Sequence, residues 1–143
     1  MATEQDKAAV RRWFVDGARD SSVFDQVLAP NVVMHVGGMP EPLRGVEEVK
    51  GLQKMMSSAF PDLNLTVDEM VDQGDTITVQ WSGKGTHAGE LRAPNGMTIP
   101  PTGKRVTFNA TDIVRVADGK IVDDESGFDI PGLLGQLGPR IAR

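Results

Sequence analysis

The order of hydrophobic periodicities along the chain is the feature that most constrains its fold. Apolar residues first recur at helical spacing and later alternate with polar residues as in β-strands. The pattern predicts helices at 3–19, 22–28 and 45–60, a short one at 129–137, and strands at 32–36, 64–71, 75–85, 105–116 and 120–124. Helices that precede a run of strands favour an α+β fold, with the helices on one face of a curved antiparallel sheet. A hollow between the concave face and the helices would hold a small ligand.

Composition and charge exclude several functional classes. The 143 residues fit one domain that covers positions 1–143. The chain has no cysteine, which excludes disulfides and thiolate zinc sites, and with two histidines we expect no metal site. A net charge of −5 argues against a nucleic-acid partner. No apolar run is long enough to cross a membrane or to form a signal peptide, so we expect a cytoplasmic protein.

Short motifs spread over nearly the whole chain carry a family resemblance. They are Ala8 to Arg12, Leu43-Arg44-Gly45, Phe60-Pro61-Asp62, Gly85 to Glu90, Pro101 to Lys104, Arg115-Val116, Asp118 to Ile121 and Gln136-Leu137-Gly138. In this order and spacing the set resembles the SnoaL-like polyketide cyclases of the nuclear-transport-factor-2-like superfamily. The resemblance implies a cone-shaped α+β barrel around a pocket, and a homodimer.

The same resemblance implies an enzyme of secondary metabolism that takes an apolar, polyketide-like substrate and needs no cofactor. Relatives of this kind perform an intramolecular aldol condensation, in which an aspartate acts as acid and base near a histidine. Counting back from Gln136-Leu137-Gly138 places the aspartate position on Ser126 and the histidine position on Asp112. The aldol residues are therefore not retained. Acid/base cyclisation, isomerisation or ring opening stays open, and the alternative is a non-catalytic small-molecule binding protein of the same fold.

Three residues are candidates for the acid/base chemistry. Asp112 shares its strand face with Phe108 and Ala110, and burial on such a face would raise its pKa toward that of a useful base. The alternative is a carboxylate at the edge of the sheet, or one that is satisfied by Arg115 or by a backbone N–H. His35, on an apolar strand, could pair with Asp112, or it could be a core or rim histidine. Asp129 precedes Ile130-Pro131, which favours a helix cap over a place in the pocket.

Further residues are candidates for contact with the substrate because they lie on elements that flank the expected hollow. They are Trp13, Met34, Met56, Phe60, Trp81 and Ser126. His87 is interpreted as a structural or lid residue. Asp123, Asp124 and Glu125 form an acidic run of the kind that is usually solvated, although strand alternation could turn Asp124 inward.

Overall fold

Four helices form where the sequence pattern predicts them. The computed structural model describes residues 3–92, 96 and 98–137. The helices are α1 (Glu4–Val15), α2 (Ser22–Val27), α3 (Val46–Ala59) and α4 (Ile130–Leu137). A capping box begins α1, in which Thr3 and Asp6 each accept a hydrogen bond from the other's backbone N–H. Ala9, Val10, Trp13 and Phe14 of α1 are buried, as the helical spacing requires of one face.

In the part of the chain that the structure describes, eight strands form one six-stranded sheet and one small two-stranded sheet. The strands are β1 (Leu28–Gly37), β2 (Leu43–Arg44), β3 (Asn64–Gln73), β4 (Thr76–Thr86), β5 (Leu91–Arg92), β6 (Thr98–Ile99), β7 (Arg105–Ala117) and β8 (Lys120–Asp129). The large sheet has the order β2-β1-β8-β7-β4-β3. Asp118 and Gly119, both with positive φ, make the predicted turn between β7 and β8.

The α+β class and the curved sheet are confirmed, with one difference in strand direction. The sheet is mixed, because β1 runs parallel to β8 while the other pairs of the large sheet are antiparallel. Over the described residues the sheet does not close into a barrel. The prediction of an all-antiparallel sheet could not foresee this pair, since local alternation does not reveal which distant strand a segment will join.

Several strands are longer than their sequence patterns indicate. The last strand continues past Asp124 to Asp129, through Gly127, and the first begins at Leu28 rather than at residue 32. Gly127 fits inside the sheet because a Cβ at this position would lie 2.6 Å from the backbone oxygen of Thr111. The extension matters for the site, because it carries Ser126 and Phe128 into the interior.

The helices cover the concave face of the large sheet. Helix α1 contacts β3, β7 and β8, while α3 contacts β1, β2 and β5. Their buried apolar side chains form one core with those of the strands. This arrangement leaves a hollow between α1, α2 and α3 on one side and the middle strands on the other. Within the ranges that the structure describes, the helices are all too short or too polar to span a bilayer.

Candidate functional site

An apolar cavity lies between the helices and the sheet. Its volume is about 110 Å³. Helices α1, α2 and α3 and strands β1, β4, β7 and β8 all contribute side chains to its wall. Most of the wall is aromatic or aliphatic, and Gln53, Asp112 and Ser126 bring polar atoms to it. Among the described residues of the wall, Asp112 is the one titratable group.

The carboxyl group of Asp112 is held by two hydrogen-bond donors from neighbouring strands. Trp81 donates from Nε1 to Asp112 Oδ1 over 2.9 Å, and the Ser126 hydroxyl donates to the same oxygen over 3.0 Å. The backbone N–H of Phe128 donates to Ser126 Oγ over 3.2 Å and so fixes the serine. Asp112 is 1% exposed. The two donors satisfy one oxygen of this buried carboxyl group and hold it in one orientation.

A second buried carboxyl group, Asp124, lies beside Asp112. In the sheet, Asp124 is paired with Val114 on β7 and with Met34 on β1. Asp112 is paired with Ser126, two residues further along β8, so Asp112 and Asp124 lie on the same face of the sheet. Asp124 is 0% exposed, and neither of its oxygens receives a hydrogen bond from an N–H or O–H group of the described residues. Asp112 is the neighbouring group that acts on Asp124 most strongly, and a hydrogen bond between two carboxyl groups requires a proton.

Burial raises the pKa of Asp124 well above its ordinary value, and the negative charge of Asp112 raises it further. Asp123 and Glu125, its neighbours in the chain, add smaller contributions of the same sign. Asp124 therefore holds a proton where an exposed aspartate would have lost it. A proton on Asp124 can be donated in a hydrogen bond to the neighbouring carboxyl group of Asp112, so the two groups form a coupled pair.

The structure brings most of the predicted site residues to one place. Asp112 lies at the wall of the cavity, as the alternation along its strand indicated. The predicted contact residues that share the wall with it are Trp13, Met34, Met56, Trp81 and Ser126. Their roles toward a substrate remain predictions.

Three other candidates lie elsewhere. His35 is exposed and is paired with Glu125, another exposed residue, so its side chain is on the outer face of the sheet. Asp129 is exposed and its Oδ1 accepts a hydrogen bond from the backbone N–H of Gly132 over 3.0 Å, which is the bond of a helix cap. Phe60 is fully buried, but it packs against the His87 ring at 5.6 Å between centroids and does not reach the cavity wall.

His87 is a buried residue that joins three parts of the chain. Its Nδ1 accepts a hydrogen bond from the backbone N–H of Thr102 over 3.2 Å and lies 2.9 Å from the Thr102 hydroxyl. The backbone of His87 is bonded to Gly103 and Lys104, and the next residues, Ala88 and Gly89, are bonded to the end of α3. Burial lowers the pKa of His87, which favours the neutral ring. These contacts agree with the structural interpretation of this histidine.

Sequence reasoning missed part of the wall, and for Asp124 it left a solvated and an inward position both open. Phe24, Phe108 and Phe128 line the cavity and were not among the candidates. Asp124 was judged by its acidic neighbours, which are typical of a solvated segment. The signal for its inward position is the alternation of side chains along a strand, because Asp124 and Ser126 are two residues apart and face the same side of β8.

The described residues contain no cluster of three or more His, Asp or Glu side chains placed to hold a metal ion. The two carboxyl groups of Asp112 and Asp124 share a proton-dependent contact, so the geometry favours acid/base chemistry by the side chains themselves.

Comparison with known proteins gives one family and many similar folds. The sequence profile of the SnoaL-like polyketide cyclases matches residues 8–137. Among curated protein sequences, none matches this chain. The structure of a suggested SnoaL-like polyketide cyclase from Jannaschia sp. CCS1 superposes with a TM-score of 0.83 at 21% identity, over 96% of this chain and 95% of that chain. At this identity the likeness shows the fold alone.

Two further structures are somewhat more similar in sequence. IdmH from Streptomyces antibioticus, a suggested polyketide cyclase, is 26% identical, with a TM-score of 0.75 over 95% of this chain and 100% of that chain. AclR from Streptomyces galilaeus, a suggested hydroxylase, is also 26% identical, with a TM-score of 0.70 over 94% of this chain and 90% of that chain. The fold is thus shared by proteins to which different reactions are attributed.

Proposed function

The chain belongs to the SnoaL-like polyketide cyclase family, and from this premise we propose that it is an enzyme that moves a proton on a small, largely apolar substrate. The reaction class is cyclisation, isomerisation or ring opening by side-chain acid/base chemistry. The observation that carries the proposal is the position of Asp112, a buried carboxylate at the wall of an apolar cavity. Exclusion of water strengthens the charge interactions there.

Asp112 is the base in this proposal. The hydrogen bonds from Trp81 and Ser126 both occupy Oδ1 and hold the carboxylate in one orientation. Neither bond uses Oδ2, which we assign as the atom that accepts the substrate proton. A base must be held within hydrogen-bond reach of the proton that it removes, and the two donors supply that orientation before the substrate arrives.

Asp124 is the positioning residue behind the base. Because its pKa is raised, Asp124 can hold a proton beside Asp112 and stabilise a negative charge there without a cationic partner. When Asp112 takes a proton from the substrate, the pair holds two protons, and Asp112 can return one to another atom of the substrate. Two carboxyl groups whose surroundings push their pKa values apart are the usual arrangement for such acid and base roles.

The proposal is tested by proton exchange, which does not require the natural substrate. The chain is incubated in D₂O with a panel of acyclic and one-ring 1,3-diketones and β-keto esters, and NMR measures the loss of the α-proton signal. We expect exchange faster than in buffer for at least one compound. Asp112→Asn should lower the enzyme-dependent rate by about 10²–10⁴-fold, the usual contribution of a general base.

The matched control is Glu69→Gln, which also replaces a carboxylate by its amide but at an exposed position of β3. This variant should keep the rate of the unaltered chain. Circular dichroism and thermal unfolding show whether each variant is folded. Exchange that survives in folded Asp112→Asn would overturn the assignment of the base.

One observation favours the second candidate function, which is binding without turnover. Ser126 stands where the resemblance places the aspartate of the aldol cyclases, and its hydroxyl is engaged with Asp112. A binding protein would hold a panel compound with saturable affinity and release it unchanged. Mass spectrometry of the compound after long incubation separates the two functions, since an enzyme leaves an altered or deuterated product.

A further inference from the structure

Six of the seven aromatic residues of the chain line one cavity. The sequence holds two Trp, five Phe and no Tyr, and the six that reach the wall are Trp13, Phe14, Phe24, Trp81, Phe108 and Phe128. Trp81 is central among them, with ring centroids at 5.7 Å from Phe14, 5.8 Å from Phe108 and 6.0 Å from Phe128. Aliphatic residues alone can form an apolar cavity, so apolarity does not explain why the aromatic residues are concentrated at this wall.

The cavity combines these rings with an unbalanced negative charge. Asp112 receives hydrogen bonds from two neutral donors, and its other neighbour, Asp124, is an acid. No Lys, Arg or His is found among the described residues of the wall. A buried carboxylate is normally paired with a cation, because hydrogen bonds from neutral groups replace only part of its lost hydration.

We propose that this cavity binds a small organic cation, an alkylated ammonium group, with Asp112 as its counter-ion and the aromatic rings as its cage. The inference concerns binding and goes beyond the proton-transfer proposal, because it holds whether or not the ligand is turned over. Aromatic faces attract such cations within about 6 Å of the ring centroid, most strongly when water is excluded. The net charge of −5 further attracts cations to the molecule.

The size of the cavity limits the cation. Its volume of about 110 Å³ is somewhat smaller than the roughly 150 Å³ of an apolar cavity that holds benzene. A trimethylammonium head with a short tail is of this order, whereas a long-chain or polycyclic amine is not. Trp81 Nε1 lies 2.9 Å from Asp112 Oδ1, which places the carboxyl group next to the central residue of the aromatic cluster.

The test compares choline with 3,3-dimethylbutan-1-ol, in which carbon replaces the charged nitrogen and the shape is kept. Isothermal titration calorimetry measures both compounds on the full chain at neutral pH, with ionic strength held constant. We expect choline to bind about tenfold more tightly or better, since both the ion pair and the ring faces act on the charge. Equal or tighter binding of the alcohol, or no saturable choline binding at millimolar concentration, would overturn the inference.

Two variants locate the site. Asp112→Asn should remove the preference for choline and leave the affinity for the alcohol within about twofold, because only the charge changes. Phe24→Leu should reduce the preference several-fold, since it removes one ring but keeps an apolar wall. The matched control is Phe60→Leu, which replaces the one aromatic residue outside the cavity wall and should keep the preference. A preference that is the same in all folded variants would contradict the inference.

The two proposals fail separately. If Asp112-dependent proton exchange occurs and choline is not preferred, the cation inference is wrong and the base assignment stands. If choline is preferred and no panel compound exchanges, the cavity is a cation site and the proton-transfer proposal is wrong. The measurement on the unaltered chain decides the inference even where a variant does not fold.

Discussion

Asp124 has the least favourable surroundings for a charge among the described carboxyl groups of the site. It is 0% exposed, it receives no hydrogen bond from an N–H or O–H group of the described residues, and its neighbour Asp112 is also acidic. Burial and the charge of Asp112 raise its pKa in the folded state above the ordinary value of 3.8. The folded chain therefore retains a proton that the unfolded chain releases as the pH rises.

A carboxyl group whose pKa is raised by folding stabilises the folded chain fully at a pH below its pKa in the unfolded chain. This stabilisation is lost as the pH rises through its pKa in the folded chain. Asp124→Asn removes this dependence, while its amide can still donate to Asp112. We expect the variant and the unaltered chain to be similarly stable near pH 4. At neutral pH the variant should have the larger free energy of unfolding, and each pH unit between the two pKa values adds up to about 1.4 kcal/mol.

Urea unfolding between pH 4 and pH 8 measures this difference. Glu69→Gln is again the control, because its carboxyl group is exposed and the substitution should change the stability curve little. A difference between Asp124→Asn and the unaltered chain that is the same at every pH would show that Asp124 does not carry an excess proton in the folded state.

At the scale of elements, α1 and α2 offer a direct comparison of caps. Thr3 begins α1 with a side-chain bond to the backbone N–H of Asp6 over 3.0 Å, whereas Ser21 precedes α2 and makes no such bond. Thr3→Ala should lower the free energy of unfolding by about 1 kcal/mol, because it leaves a helical N–H without its partner. Ser21→Ala should have little effect. Chemical denaturation of both variants checks the pair, and equal losses would contradict the role of the capping box.

The helices could be predicted because their signals are local. Val10, Trp13 and Phe14 are spaced so that one face of a helix is apolar, and the structure buries all three. Pro61 follows the end of α3, and the turn at Asp118-Gly119 follows the end of β7. Both ends are determined by a few neighbouring residues. Such features need no knowledge of the rest of the chain.

The faces of the strands were harder to predict. In β1 the pairing with β8 shifts in register between Leu28 and Val33, so counting by twos from the start of the strand does not fix which residues point inward. The structure buries Met34 and leaves His35 exposed. Because apolar residues flank His35 on both sides, the sequence does not indicate whether Met34 or His35 points into the core. A shift of one residue along the strand exchanges its buried and exposed faces.

At the scale of the whole molecule, the site is assembled from segments far apart in the chain. Trp81, Asp112 and Ser126 come from three adjacent strands, and the cavity opposite them is closed by helices that precede all three in sequence. The ordered motifs predicted the fold because they cover the whole chain. They did not predict the partnership of Asp112 and Asp124, which depends on the register between β7 and β8.

His87 connects distant segments of the chain, and its contribution to stability depends on pH. Its ring packs on Phe60 at the end of α3 and accepts a hydrogen bond from Thr102, so protonation disturbs contacts between distant segments. Burial lowers its pKa below the ordinary value of 6.5. Below that value the unfolded chain binds a proton at His87 that the folded chain does not. The stability that the neutral, buried ring contributes is therefore lost as the pH falls through the pKa of His87 in the folded chain.

His87→Asn keeps a side-chain oxygen that can accept from Thr102 but cannot take up a proton in this range. We expect the variant to be less stable than the unaltered chain at pH 7, because ring contacts with Phe60 are lost, and the deficit to narrow toward pH 5. Urea unfolding at several pH values measures the deficit. His35→Asn is the control, since the side chain of the second histidine is exposed and its replacement removes no buried contact. A deficit that does not change with pH would mean that His87 keeps the same proton affinity in the folded and unfolded chains, and its burial would then have no part in the acid sensitivity of the fold.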